Sequence, residues 1–182
     1  MKLRYVVVLL LSLVLLAFLP VTSFAAEPVG GVCGNLTWEL DENGWLYIEG
    51  NGTMADFASV DSAPWSHLAS SVEAIEIGPG VTTIGENAFF DFELLTTLIL
   101  PDSLTQIGSA AFFNCGELTW ILNSELEQTL PNSVQVIEDA AFCGCDSLTN
   151  LALGTAFYRL ATVPSAAARN WRKSRSRGNC SP

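Results

Sequence analysis

From residue 75 onward the chain repeats itself at a fixed spacing. Ile75-Glu76-Ile77 returns as Leu98-Ile99-Leu100, and Val81-Thr82-Thr83-Ile84-Gly85 returns as Leu104-Thr105-Gln106-Ile107-Gly108. Ala88-Phe89 returns as Ala111-Phe112, and Leu95-Thr96 as Leu118-Thr119, each 23 residues on. A third copy holds Pro131, Val134, Ile137, Ala141-Phe142, Cys145 and Leu148-Thr149. These stand 30 residues after Pro101, Leu104, Ile107, Ala111-Phe112, Cys115 and Leu118-Thr119. The 7 extra residues are most simply Asn123 to Thr129, and a fourth copy opens with Leu151-Ala152-Leu153-Gly154. A unit this short cannot enclose a core alone and must bury its apolar positions against its neighbours. The period therefore predicts a mainly β solenoid of leucine-rich-repeat type, 23-residue units with short parallel strands. Small Ala lets adjacent coils approach while the following Phe fills the interior. Phe112 and Phe142 are expected as buried column residues, with Phe89 beginning the stack.

The segment before the repeat reads differently. Leu36-Thr37-Trp38-Glu39-Leu40 and Trp45-Leu46-Tyr47-Ile48-Glu49 both alternate, with Asp41-Glu42-Asn43-Gly44 between them. A three-residue loop ending in a left-handed Gly44 sets Leu40 opposite Leu46 and Trp38 opposite Ile48, giving a half-buried hairpin. A calcium loop needs its glycine later and further ligands, so Asp41-x-Asn43-Gly44 is read as a turn.

Charge divides the chain by position. All 19 acidic residues lie between Glu27 and Asp146, and no Lys or Arg occurs from Tyr5 to Tyr158. Such a body repels phosphate backbones, which excludes nucleic acid as its partner. Lys2 and Arg4 precede an apolar run to Leu19, broken by Pro20, with Ser23-Phe24-Ala25 as a cleavage site. This is the three-part layout of a secretory signal, and the run is too short to span a bilayer. The expected organisation is a signal peptide over 1–25, an N-terminal cap with the hairpin over 26–70, repeats over 71–160 and a basic tail over 161–182. No later segment is expected to cross a membrane, so the product is expected outside the cell, secreted or at the surface.

Catalytic motifs are sparse. His67 is the single histidine, and no Gly-x-Ser-x-Gly elbow accompanies it, so it reads as a turn or cap residue. Among this many acids some pair falls at glycosidase spacing by chance, so the carboxylates carry no specific signal. Cys143-Gly144-Cys145 is not a zinc spacing, and no metal or cofactor is expected. Cys33, Cys115, Cys143, Cys145 and Cys180 are odd in number, and their pairing is left open by the sequence. Cys115 and Cys145 share one position on successive coils, either bridged or packed as free thiols.

The units I-x-x-G-V-T-x-I-G-x-x-A-F and A-F-x-x-C-x-x-L-T resemble the BspA-type leucine-rich repeats of bacterial surface and secreted proteins. The stretch from Cys33-Gly34-Asn35-Leu36-Thr37-Trp38 to Asp56-Phe57, with Ala63-Pro64-Trp65 after it, resembles the module that often leads such repeats. The resemblance implies a right-handed solenoid and a non-catalytic role in adhesion or ligand binding. The implied partner is a host or matrix protein or a surface glycan. Phe92 departs from the pattern, standing where Cys115 and Cys145 occupy the later repeats.

Strand alternation names a candidate ligand face. With Ile75/Ile77, Leu98/Leu100 and Leu151/Leu153 inward, Glu76, Thr97, Ile99, Trp120, Leu122, Asn150 and Ala152 point outward. The family usually places small polar residues there, so Ile99, Trp120 and Leu122 form an unexpected apolar group. The competing expectation is that the insertion covers them. Ser124-Glu125-Leu126-Glu127 fits a capping box starting a helical turn, with Leu126 over Trp120. A secreted hydrolase, a rival from another class, needs a cleft of converging ionisable groups that so short a stack hardly provides.

After Gly154 the pattern fails. Pro164-Ser165 falls where Ala-Phe is due, and Arg169, Arg172, Lys173, Arg175 and Arg177 crowd the end. The tail is expected to be disordered or loosely helical around Ala166-Ala167-Ala168. A basic anchor for anionic wall polymer or membrane and a tail folding back on the acidic body are rival readings of it. Composition and repeat fail together, which favours out-of-frame translation of a larger repeat protein, leaving a remnant without independent activity. Reading the gene in the other two frames is expected to uncover further 23-residue units; finding none removes the frameshift explanation.

Overall fold

The computed structural model describes residues 29–149, so the expectations for the leader, the fourth copy, Cys180 and the basic tail lie outside the described residues. Ten short strands build two sheets. The first sheet runs β1 (Val29–Cys33), β2 (Leu36–Leu40), β3 (Trp45–Gly50), β5 (Ala74–Ile77), β7 (Thr97–Ile99) and β9 (Trp120–Leu122). The second holds β4 (Gly52–Thr53), β6 (Val81–Ile84), β8 (Gln106–Ile107) and β10 (Val136–Ile137). Each repeat therefore lays one strand in each sheet, and the result is a mainly β solenoid of about 4 turns with parallel strands.

The sequence period becomes strand register. Ala74, Ile75 and Glu76 lie opposite Thr97, Leu98 and Ile99, which in turn lie opposite Trp120, Ile121 and Leu122. In the second sheet Ile84 faces Ile107 and Ile107 faces Ile137, so the step lengthens with the insertion but the pairing holds. Inward residues at these positions are fully buried: Ile75, Leu98, Ile121, Ile84, Ile107 and Ile137.

The hairpin has the register its loop demands, with Leu40 opposite Leu46 and Trp38 opposite Ile48, and Gly44 at φ 80°. Asp41 builds the turn: its Oδ1 accepts the backbone N–H groups of Asn43 (2.9 Å) and Trp45 (2.8 Å). β1 adds a third antiparallel strand that the alternation does not announce, because Val29-Gly30-Gly31-Val32 has no half-buried pattern. The cap is continuous with the repeats. β3 pairs in parallel with β5 and β4 with β6, so the hairpin's second strand and its continuation serve as the first coil.

A column of aromatic rings runs through the interior. It begins one coil earlier than expected, at Trp65 rather than Phe89. Trp65 stacks on Phe89 (5.6 Å, 19°), Phe89 on Phe112 (5.2 Å, 15°) and Phe112 on Phe142 (5.3 Å, 7°), all four buried. Trp65 anchors the top by donating its indole N–H to the Ala88 carbonyl at 2.7 Å. Phe92 closes the side of the column, edge-on to Phe89. A half-buried second column stacks Phe90 on Phe113 at 4.8 Å.

Two features permit rings to stack so closely. Gly85 and Gly108 stand where neighbouring coils touch: a Cβ at Gly85 would strike the Ala55 carbonyl, and one at Gly108 would lie 2.7 Å from the Glu86 nitrogen. The Ala-Phe corner forms its own ladder, with Phe89 N–H to the Ala111 carbonyl and Phe112 N–H to the Ala141 carbonyl, both at 2.8 Å. The corner needs a left-handed residue just before Ala-Phe, supplied by Asn87, Ala110 and Ala140 at φ 50–56°. Asn tolerates that conformation better than Ala, for which it costs roughly 1–2 kcal/mol.

The cysteines follow the same columns. Cys115 is fully buried and its thiol donates to the Phe89 carbonyl at 3.3 Å, while Cys145 donates to the Phe112 carbonyl at 3.2 Å. Both thiols are free, as is Cys33, and Cys143 is disulfide-bonded. Burial, reinforced by hydrogen bonding to Cys145, pushes the Cys115 thiol well above its ordinary pKa.

Phe112→Ala removes the ring held between two others, a loss of ~3–5 kcal/mol for a buried Phe. It is expected to unfold the stack or leave it molten, whereas Phe90→Ala on the outer column lowers the melting temperature less. An unchanged melting curve for Phe112→Ala contradicts the column. Cys115 generates a pH prediction. Unfolding releases its thiol to a pKa of roughly 8.5, so the unfolded chain binds fewer protons than the folded one above that pH. Stability is unaffected by this group below that range and falls as pH rises toward its higher folded pKa. In a urea titration, Cys115→Ala is expected to flatten this alkaline decline.

A groove on the outward face of the six-stranded sheet

Because side chains alternate, the residues between the buried ones form the outward face of the first sheet. Register arranges them in two rows. Tyr47, Glu76, Ile99 and Leu122 follow one another across β3, β5, β7 and β9, while Trp45, Ala74, Thr97 and Trp120 form the next. Trp45 and Tyr47, two residues apart on β3, stack their rings at 6.1 Å and 19°. The Asp41 turn fixes this pair by holding the Trp45 N–H.

A groove of about 630 Å³ opens beside these rings, within the usual ~300–1,000 Å³ of ligand sites. Trp45 and Tyr47 line one side, Glu76 and Ile99 lie across it, and Asp102 and Leu126 close the far end. Two smaller hollows continue it. One, of about 260 Å³, shares Tyr47 and adds Glu39 and Glu49. The other, of about 280 Å³, shares Asp102 and Ser124 and adds Glu125 and Glu127. Carboxylates thus border the trough along its length. Burial, followed by the charges of Asp41, Glu76 and Glu39, raises the Tyr47 phenol above its ordinary pKa and keeps it protonated. The Asp41 carboxyl is lowered, chiefly by the Trp45 N–H it accepts.

The three candidate face residues are divided by this geometry. Ile99 lines the groove, and Leu122 lies beside it on β9. Trp120 sits in the other row, outside the groove lining, and is 48% exposed. The insertion does not form the helical turn expected from Ser124 to Glu127. Asn123 captures the turn instead, its Oδ1 accepting the N–H groups of Glu125 (3.0 Å) and Glu127 (2.9 Å), and Ser124 turns its hydroxyl to Asp102. An Asx-type turn outcompetes the capping box because one Asn side chain satisfies two backbone donors at once. Leu126 then takes φ 61° and stands 64% exposed at the groove's end. Trp45 and Tyr47 are missing from the sequence-based face. Their alternation with Leu46 and Ile48 carried the signal, but their place beside Glu76 depends on the parallel pairing of β3 with β5.

Elsewhere His67 is exposed on the 3-10 segment Ser66–Ser71, its ring edge-on to Trp38 at 6.5 Å. Among the described residues it makes no hydrogen bond to a serine hydroxyl or a carboxylate, and no three ligating side chains converge as a metal set. Among the same residues no helix is long and apolar enough to cross a membrane.

The chain is similar to a leucine-rich repeat protein from Eubacterium ventriosum, with a TM-score of 0.55 at 18% identity over 72% of this chain and 45% of that one. A leucine rich cell surface protein from Faecalibacterium prausnitzii matches at a TM-score of 0.37 and 21% identity, over 71% of this chain and 44% of that one. The chain thus spans under half the length of either solved structure. No curated protein matches it. The family model described as the BspA type leucine rich repeat region matches residues 66–160, just over half of the chain. That match covers the coils that carry Phe89, Phe112 and Phe142, and the chain belongs to the BspA-type leucine-rich-repeat family.

Proposed function

We propose that this protein is a secreted or surface-held, non-catalytic binding module that takes a host or matrix protein, or a surface glycan, on the outward face of its six-stranded sheet. One observation carries the reading: a rigid, ladder-bonded sheet presents stacked Trp45 and Tyr47, Ile99 and a half-exposed Trp120 on one face instead of burying them. Apolar and aromatic groups left exposed together on a soluble chain mark contact surfaces, and Trp and Tyr are the side chains that most often dominate binding energy. Family membership supports a protein-binding repeat module. The secretory layout of residues 1–25 supports the extracellular location.

Probing the full chain against arrays of matrix proteins and glycans is expected to give at least one ligand. Ile99→Ser with Trp120→Ser is expected to weaken that ligand at least tenfold, at ~1.4 kcal/mol per decade. Binding that survives the double variant unchanged moves the contact surface elsewhere, and silence across the array removes the adhesion reading. The emission component lost in Trp120→Phe is expected to be red-shifted and quencher-accessible in the free protein. A blue-shifted, protected component takes Trp120 off the contact surface.

A further inference from the structure

The trough on the sheet face has a property that narrows what it can hold. Glu39, Glu49, Glu76, Asp102, Glu125 and Glu127 border it from end to end. Among the described residues no Lys or Arg answers them, since none occurs from Tyr5 to Tyr158. A surface of one sign selects against anionic glycans, phosphate polymers and acidic proteins, and attracts cations. The stacked faces of Trp45 and Tyr47 offer the second element of cation recognition, because a guanidinium or ammonium within ~6 Å of such a ring is attracted to its face.

We propose that the groove binds an extended Lys- or Arg-bearing polypeptide segment, one cationic head lying over the Trp45–Tyr47 rings beside Glu76 and a second reaching Asp102 at the far end. This deepens the reading of the sheet face as a ligand surface and rests on it. The dimensions fit a segment rather than a single ion. From Glu39 on β2 across β3 and β5 to Ile99 on β7 are three strand spacings of ~4.8 Å. That is roughly 14 Å, which an extended chain covers in about four residues at ~3.4 Å each. Alternate residues of such a segment face the sheet, so two cations meet carboxylates at opposite ends of the trough. The apolar parts of the floor, Ile99, Pro79, Pro101 and Leu126, receive the methylene stems that Lys and Arg bury while their heads reach charge. Arg suits the site better than Lys, because its planar, weakly hydrated head both stacks on rings and pairs bidentately with a carboxylate.

The test uses the full chain and a fluorescently labelled peptide alternating Arg and Ser. Its partner probes are the same peptide with citrulline for arginine, which keeps the shape and removes the charge, and a neutral xylo-oligosaccharide. The Arg peptide is expected to bind, the citrulline peptide to bind at least tenfold more weakly, and binding to fall steeply as salt rises. Trp45→Ala and, separately, Glu76→Gln with Asp102→Asn are each expected to cost about tenfold, with thermal melts confirming that the carboxamide variant stays folded. Asp139→Asn, a carboxylate removed at the corner after β10 in the other sheet, is expected to change binding little. The inference is overturned by equal affinity for the citrulline peptide, by an Asp139→Asn loss as large as that of the groove pair, or by Trp45-dependent binding of the oligosaccharide instead. The chain's own Arg159, Arg169, Arg172, Lys173, Arg175 and Arg177 are changed to Gln in a parallel preparation, so that occupation in cis cannot hide the site. Failure to bind the Arg peptide in both preparations also overturns it. If the arrays still give a ligand lost on Ile99→Ser with Trp120→Ser, only the cationic specificity falls; if they are silent as well, the binding reading falls with it.

Discussion

The stack of four rings from Trp65 through Phe89 and Phe112 to Phe142 is the interaction on which the rest of the molecule depends. Parallel strands only two to four residues long make too few hydrogen bonds to fix their own register, and a slip of one residue would turn every apolar side chain outward. The rings prevent it. A large side chain recurring at one point of each coil locks neighbouring coils at one relative position, and both sheets inherit that position. The close approach is made possible by small residues beside the rings: Ala88, Ala111 and Ala141 within the corner, and Gly85 and Gly108 where coils touch. In a linear array each coil is stabilised only by its two neighbours, so an interruption in the column is felt across the domain.

This arrangement also explains how an insertion is absorbed. The extra residues leave after Leu122 and return by Leu130, which is buried, and Val134 and Ile137 regain the positions of Leu104 and Ile107. The excess sits at the corner between the two sheets, where chain can be added without displacing a ladder, and the Asn123 turn closes it locally. By lying at the end of the outward face, it supplies Ser124 and Leu126 to the groove and Glu125 and Glu127 to its continuation. A structurally tolerated excess has become part of the outward groove.

The same separation of roles holds for charge. The interior of the described region is apolar apart from backbone ladders, a few thiols and hydroxyls, and the indoles of Trp38 and Trp65, so stability owes little to ion pairs. Carboxylates are free to populate the surface, where they set its electrostatic sign. The acidic groove is therefore a property of the surface residues, independent of the column beneath it.

The period, the repeat strands, the Phe column, the hairpin register and the place of the insertion were legible in the sequence. Each of these is a relation between residues at short or fixed separation, and the 2-residue and 23-residue spacings record them directly. Phe89, Phe112 and Phe142 could be named as core from the repeat alone. Trp65 could not be placed at the head of the column, because Ala63-Pro64-Trp65 stands at a different distance from Phe89 than the repeats stand from one another. Ile99, Trp120 and Leu122 were legible as outward residues from alternation. That Ile99 joins Trp45, Tyr47 and Glu76 at one groove while Trp120 stands apart was decided only by the tertiary structure. The groove exists because β3 of the hairpin pairs in parallel with β5. That contact joins two segments with no common repeat, and nothing in either segment's own pattern encodes which strand edge the other will meet.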